Sequence, residues 1–109
     1  MSESKAQPHE RAFEEFAQRA MDRLGESIHE LILYGSTVRG ETRGRDSDVD
    51  VFLVLDSRDH DDELREIAYD VTLHYGVVVS LYIEEREDFE NQRDHPFIKN
   101  VFREGRSFG

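Results

Sequence analysis

Three short apolar runs, separated by stretches with helical periodicity, constrain the fold of this chain more than any other feature. The runs lie at residues 30–34, 48–55 and 77–83, and each has the length and content of a buried strand. Residues 8–24 and 61–75 place apolar side chains three and four positions apart, which predicts an amphipathic helix in each. This alternation predicts a small α/β sheet covered by helices.

The segments between these elements complete the predicted order. A short helix is predicted over 36–40, a polar loop over 41–47 and a short acidic helix over 85–92. His95-Pro96 opens a final helix that Gly105 ends. A chain of 109 residues is long enough for one compact domain, predicted over 1–109, with a core motif at 34–55 and frayed ends at about 1–7 and 106–109.

Composition excludes several classes of function. The chain carries 25 acidic against 14 basic residues and a net charge of −11, which argues against broad nucleic-acid binding. This acid-rich, lysine-poor balance is similar to that of proteins from salt-loving organisms. No cysteine is present and the five histidines are scattered, so thiolate and histidine metal sites are not expected. A polar N-terminus and the lack of a long apolar run predict a cytoplasmic protein that makes no membrane contact.

Two aspartates stand where the second predicted strand begins. Because strand side chains alternate, Asp48 and Asp50 point to the same side as Phe52 and Val54. Adjacent carboxylates repel each other, and a divalent cation such as Mg²⁺ or Mn²⁺ would remove that repulsion. For an isolated D-x-D pattern, a turn in which an aspartate caps backbone groups or pairs with Arg43 or Arg45 is the commoner interpretation.

A Gly35-Ser36 turn joins the first predicted strand to the short helix. Backbone N–H groups at such a helix start bind phosphate oxygens, glycine permits close approach, and a serine hydroxyl adds a donor. Alone, the turn is also compatible with an ordinary helix cap. Together, the turn and the two aspartates predict a phosphate cradle beside a metal-binding carboxylate pair, as phosphoryl or nucleotidyl transfer requires.

These residues resemble a known family. Gly35-Ser36-Thr37-Val38-Arg39-Gly40, followed by Ser47-Asp48-Val49-Asp50 and an apolar strand, resembles the minimal nucleotidyltransferases of the DNA-polymerase-β-like superfamily. The closing PFIKNVFREG is similar to the tail of many small members. The resemblance implies an α/β (α+β) fold with a small mixed β-sheet of three or more strands flanked by helices.

The resemblance also implies roles for individual residues. Gly35 and Ser36 would hold the triphosphate of an NTP, expected to be ATP, and Arg39 and Ser47 belong to the same nucleotide-binding motif. Asp48 and Asp50 would be the catalytic carboxylates and would ligate Mg²⁺ or Mn²⁺. Arg39 could instead pair with a neighbouring acid in a purely structural role.

One position departs from the family pattern. A third carboxylate is usual on the neighbouring strand, where it binds metal and serves as general base. The corresponding polar residue here is Ser80, which is a poor metal ligand and a poor base. Glu84 or Glu85 could reach the site from the strand end, but capping or exposure to solvent is the alternative for both.

The resemblance implies a partner and leaves three functions open. Many such proteins act with a small all-helical HEPN-type partner as the antitoxin of a toxin–antitoxin pair, and transfer AMP to its tyrosine. A homo-oligomer is also compatible with the sequence. The alternatives are a catalytically inactive module that neutralises the partner by binding, which Ser80 favours, and a transferase that modifies an antibiotic or metabolite.

Overall fold

The computed structural model describes residues 8–35 and 48–108. The helices there are α1 (Pro8–Leu24), α2 (Asp61–Tyr75), α3 (Arg86–Asn91) and α4 (Pro96–Glu104). The strands are β1 (Ile28–Tyr34), β2 (Val49–Leu55), β3 (Val79–Glu85) and β4 (Arg106–Ser107). Single 3-10 turns at Gly25–Ser27 and Arg58–His60 precede β1 and α2. In this part of the chain, no helix is both long enough and apolar enough to cross a membrane.

The strands form one mixed sheet in the order β3-β2-β1-β4. β1 pairs antiparallel with β2 and β4, whereas β3 runs parallel to β2. The parallel pair requires a crossover, which α2 provides. The predicted small mixed sheet flanked by helices is therefore confirmed.

Helices cover both faces of the sheet, and alternation along β2 divides its side chains between them. The odd-numbered residues from Val49 to Leu55 are buried against α1 and α2. Phe52 and Val54 are buried on the opposite face, against α3 and α4. A strand buried on both faces must be apolar at every position, which explains the continuous run after Asp50.

Most helix bounds agree with the sequence pattern. The predictions of helices over 8–24 and 61–75 are confirmed residue for residue. Gly76 ends α2 in the left-handed region at φ 74°, and its N–H donates to the carbonyl of Thr72 at 2.8 Å. Pro96 begins α4, and the His95 ring nitrogen Nδ1 accepts from the Phe97 N–H at 3.1 Å. The helix and loop predicted over 36–47 lie outside the described residues.

The third strand lies two residues later than its apolar run predicts. β3 spans 79–85 rather than 77–83, because its bounds follow its partner: Val49 pairs with Val79 and Leu55 with Glu85. The two glutamates at its end belong to the strand through backbone pairing. Because both glutamates are polar, a search of the sequence for apolar runs does not assign them to the strand.

The chain end is ordered where fraying is predicted. Arg106 and Ser107 pair with Leu33 and Ile32 of β1 as β4. The N–H of Phe108 donates to the Leu31 carbonyl at 3.0 Å. The tail therefore pairs at the edge of the sheet beside β1, at residues 106–108 where the sequence predicts fraying. The expected fraying of residues 1–7 and of Gly109 falls outside the described residues.

Phe108 provides a test of this tail. Its ring packs edge-on against Phe13 with centroids 6.1 Å apart and contacts the core between the sheet, α1 and α2. Phe108→Ala should lower the free energy of unfolding by about 2 kcal/mol, less than the cost for a fully buried phenylalanine because the ring is partly exposed. Urea denaturation measures this, and an unchanged midpoint would mean that the tail does not pack in solution.

Candidate active site

One end of the sheet gathers the residues singled out by the sequence. β1 ends there, and β2 and β3 begin there, because β1 is antiparallel to β2 while β3 is parallel to it. Tyr34, Asp50 and Ser80 are direct neighbours across the three strands. Asp48 lies just before β2, and Gly35 follows β1 directly. Residues separated by up to 46 positions thus meet in one row.

Gly35 lies directly against the carboxylate of Asp50. Its φ of +84° is in the left-handed region, which side chains disfavour. A Cβ at this position would lie 2.5 Å from Oδ2 of Asp50, well inside contact distance. Glycine is therefore required twice, once for the turn and once for the approach of backbone to carboxylate.

The two aspartates differ in environment. Asp48 is exposed, whereas Asp50 is half-buried. Burial, and to a smaller extent the negative charge of Asp48, raise the pKa of Asp50 above its ordinary value of 3.8. The hydroxyl of Ser80 donates a hydrogen bond to Oδ2 of Asp48 at 3.1 Å. Ser80 thus orients a carboxylate, a role that the sequence pattern does not indicate.

This donor set fits a divalent cation. Asp48 and Asp50 lie at the same end of the sheet, and the raised pKa of Asp50 means that the fold disfavours its ionised form. Mg²⁺ and Mn²⁺ prefer oxygen ligands such as these carboxylates. Within residues 8–35 and 48–108, no group of three or more metal-ligating side chains occurs. Asp48 and Asp50 could hold the ion, with water, substrate oxygens or both completing its coordination.

Tyr34 is a site residue that sequence reasoning missed. Burial, the charge of Asp50 and the neighbouring Tyr82 raise its pKa to about 12, so its hydroxyl stays protonated at neutral pH. Its ring packs edge-on against Phe97 of α4, with centroids 5.6 Å apart. The available signal was its position, immediately before Gly35 at the end of a strand.

Glu84 and Glu85 do not complete the site. They pair with Val54 and Leu55 at the opposite end of β2, four and five residues along the strand from Ser80. Burial, and to a smaller extent Glu84, raise the pKa of Tyr82 above its ordinary value. Glu85 occupies the position before α3 without a side-chain capping hydrogen bond. The third carboxylate position therefore remains a serine.

The structure brings together only part of the predicted site. Gly35, Asp48 and Asp50 meet as the motif requires, and Ser80 joins them. Ser36, Arg39 and Ser47 lie outside the described residues, so their part in phosphate binding stays a prediction. A groove of about 490 Å³ between α2 and β3 includes Ser80 in its lining and borders this end of the sheet.

A mixed sheet carrying an aspartate pair against a glycine turn defines the class of protein. The chain belongs to the nucleotidyltransferase-domain family, whose family model matches residues 14–108. It is 32% identical over 97 residues to "Putative protein adenylyltransferase MJ0604" of Methanocaldococcus jannaschii, covering 89% of this chain and 94% of that protein. It is 31% identical over 93 residues to "Putative protein adenylyltransferase MJ1305" of the same organism, covering 81% and 63% respectively.

Gly35 and Gly76 form a matched pair for testing the close approach. Both have positive φ, but a Cβ on Gly76 would meet nothing within 4 Å. Gly76→Ala should cost roughly 1 kcal/mol of unfolding free energy from backbone strain alone. Gly35→Ala should cost more, because it also displaces the Asp50 carboxylate. Chemical denaturation of the variants, with Gly35→Ala/Asp50→Ala as the double variant, measures the difference. Equal losses at the two glycines would contradict the contact.

Asp50→Asn should stabilise the protein in metal-free buffer at neutral pH. Since the pKa of Asp50 is raised in the fold, ionisation opposes folding. The advantage of the variant should therefore be absent below pH 3.8 and grow as the pH rises through the raised pKa. Urea denaturation across pH with a chelator measures it, with the exposed Asp59→Asn as control. Added Mg²⁺ should stabilise the unsubstituted protein but not Asp50→Asn. A variant that is less stable at every pH would indicate a structural carboxylate.

Proposed function

We propose that this nucleotidyltransferase moves AMP from ATP to a hydroxyl group of a partner protein or small molecule, with Mg²⁺ or Mn²⁺ held by Asp48 and Asp50. The observation that carries the proposal is the contact of the Gly35 backbone with the Asp50 carboxylate, beside Asp48. It supports the proposal because nucleotidyl transfer needs a phosphate-binding turn beside metal-binding carboxylates. The names of the two relatives support AMP as the transferred group.

The proposed reaction breaks a phosphoanhydride bond of ATP and forms a phosphate ester bond to the acceptor. The acceptor oxygen bonds to the α-phosphorus of ATP, the bond from that phosphorus to the bridging oxygen breaks, and pyrophosphate leaves. The acceptor hydroxyl gives up its proton to solvent water, because Ser80 occupies the position where the family usually has a general base. The bound cation would neutralise charge on the phosphate oxygens. The protein positions the reactants, which is the larger part of catalysis in this chemistry.

Each candidate site residue would have a distinct role. The backbone at Gly35, with Ser36, would hold the triphosphate, and Arg39 and Ser47 would support nucleotide binding. Ser80 would keep the Asp48 carboxylate oriented through its 3.1 Å hydrogen bond. The protonated hydroxyl of Tyr34 would act as a donor next to Asp50, since its pKa of about 12 keeps it neutral.

A protein acceptor is favoured over a small one. Both relatives carry the words "protein adenylyltransferase" in their names. We propose a small all-helical HEPN-type partner, with this chain as the antitoxin of a toxin–antitoxin pair. The net charge of −11 argues against a nucleic acid as acceptor.

Ser80 favours a second candidate function. With a serine beside Asp50 where a third carboxylate is usual, the chain could be an inactive module that neutralises its partner by binding. The two candidates differ in one measurable property. The enzyme needs Asp48 and Asp50 for its effect on the partner, whereas the module does not.

The experiment co-expresses the chain with the protein encoded by the neighbouring reading frame and adds labelled ATP with Mg²⁺. Label should reach the partner from α-³²P-ATP and not from γ-³²P-ATP, which separates nucleotidyl from phosphoryl transfer. Asp48→Asn and Asp50→Asn should each lower transfer at least about a hundredfold, because each removes a ligand of the charge-neutralising cation. Asp59→Asn, beyond the opposite end of β2, is the matched carboxylate control and should transfer normally.

Two results would count against the enzyme. Transfer that survives both aspartate substitutions would place the chemistry elsewhere. Stable partner binding with no transfer from either form of labelled ATP would favour the inactive module.

A further inference from the structure

A second cavity lies between α3 and α4, apart from the carboxylate end of the sheet. Its volume is about 270 Å³, and it is lined by Phe89, Arg93, Ile98, Lys99 and Phe102. Phe89 and Ile98 are buried, whereas Arg93, Lys99 and Phe102 are exposed. The cavity thus combines an apolar interior with two cationic side chains.

Aromatic rings form its apolar wall. Phe89 and Phe102 stack with centroids 5.5 Å apart and an interplanar angle of 27°. Phe102 remains 41% exposed, although its ring also packs edge-on against the fully buried Phe52 at 6.1 Å. An exposed ring held by two others offers a preformed surface on which another aromatic group can pack.

The two cations stand out in so acidic a chain. The sequence has a net charge of −11 and only two lysines, of which Lys99 is one. Lys99 makes no ion pair with any other described residue, and Arg93 pairs with Glu90 at 3.3 Å while its guanidinium lies 5.1 Å from the Phe89 ring centroid. A carboxylate placed at this cavity would therefore meet positive charge that the fold does not fully neutralise.

Size restricts what can occupy the cavity. About 270 Å³ is below the range of roughly 300–1,000 Å³ that is usual for small-molecule sites. It is suited to a single side chain inserted from a larger molecule. We propose that this cavity binds an aromatic side chain flanked by carboxylates, presented by an acidic segment of a partner protein. The apolar wall takes the ring, and Lys99 and Arg93 take the carboxylates.

The site does not depend on nucleotidyl transfer by this chain. It nevertheless lies on the face of the sheet that carries Asp50, because Phe52, two residues further along β2, contacts the Phe102 ring. A segment bound here would hold its protein against the same face as the candidate catalytic carboxylates.

Capped synthetic tripeptides provide defined probes. Asp-Phe-Asp, Asn-Phe-Asn and Asp-Ala-Asp, each acetylated and amidated, are titrated into the ¹⁵N-labelled full chain without nucleotide. Asp-Phe-Asp should shift the backbone amides of α3 and α4, and its affinity should fall with added salt. The neutral peptide and the alanine peptide should each bind at least about fivefold more weakly, because each lacks one of the two contacts.

Matched variants locate the binding. Lys99→Gln and Phe102→Ala should each weaken Asp-Phe-Asp about fivefold. Arg65→Gln and Leu73→Ala make the same kinds of change on the exposed surface of α2, where Leu73 is 65% exposed, and should leave affinity unchanged. Dispersed amide spectra confirm that each variant folds. Asp48→Asn should bind normally, which separates this site from the proposed function.

Three results would overturn the proposal. One is no shift of α3 and α4 amides at about 10 mM Asp-Phe-Asp. Another is equal affinity for the acidic and neutral peptides, which would remove the role of Lys99 and Arg93. The third is equal weakening by the α2 controls, which would indicate nonspecific attraction.

Discussion

The antiparallel pairing of β1 with β2 is the constraint on which the candidate site depends. It aligns Tyr34 with Asp50 and brings the following Gly35 onto the Asp50 carboxylate. A shift of one residue would send Asp50 to the opposite face, toward α1 and α2, where an ionised carboxylate would be buried among apolar side chains. The register therefore decides both that the strand can fold and that the aspartate is available for chemistry.

The division of β2 between two cores explains how so small a chain can hold these charges. One face of the strand is closed by α1 and α2 along its whole length. On the other face, α3 and α4 cover Phe52 and Val54 and leave Asp50 half-buried at the end. The partial burial raises the pKa of Asp50, and the same half-open position leaves it accessible to a cation. The point at which α3 and α4 stop covering β2 therefore determines both which residues of the strand are buried and why the pKa of Asp50 is raised.

Ser80 stands where the family usually has a metal ligand, and in the folded sheet it contributes to the candidate site in a different way. In the sequence it marks an absence, since a carboxylate is usual at that position in the family. In the structure its hydroxyl donates to Asp48 and holds one of the two remaining carboxylates in place. Glu84 and Glu85, the other carboxylates considered for the site, lie at the far end of β2 because of the parallel register. Among the described residues, the candidate site therefore has two carboxylates, one of which is hydrogen-bonded by Ser80.

Local patterning was sufficient for the helices over 8–24 and 61–75 and for the strand after Asp48. These features arise from periodicity, turn chemistry and alternation, which depend on near neighbours along the chain. The bounds of β3, the pairing of the tail as β4, the place of Tyr34 and the hydrogen bond from Ser80 depend on partners far away in sequence. Backbone pairing takes in polar residues such as Glu84 as readily as apolar ones, and a side chain acquires its partner only when the strands align. Only the tertiary structure therefore determines the bounds of β3, the pairing of β4 and the side-chain contacts of the candidate site.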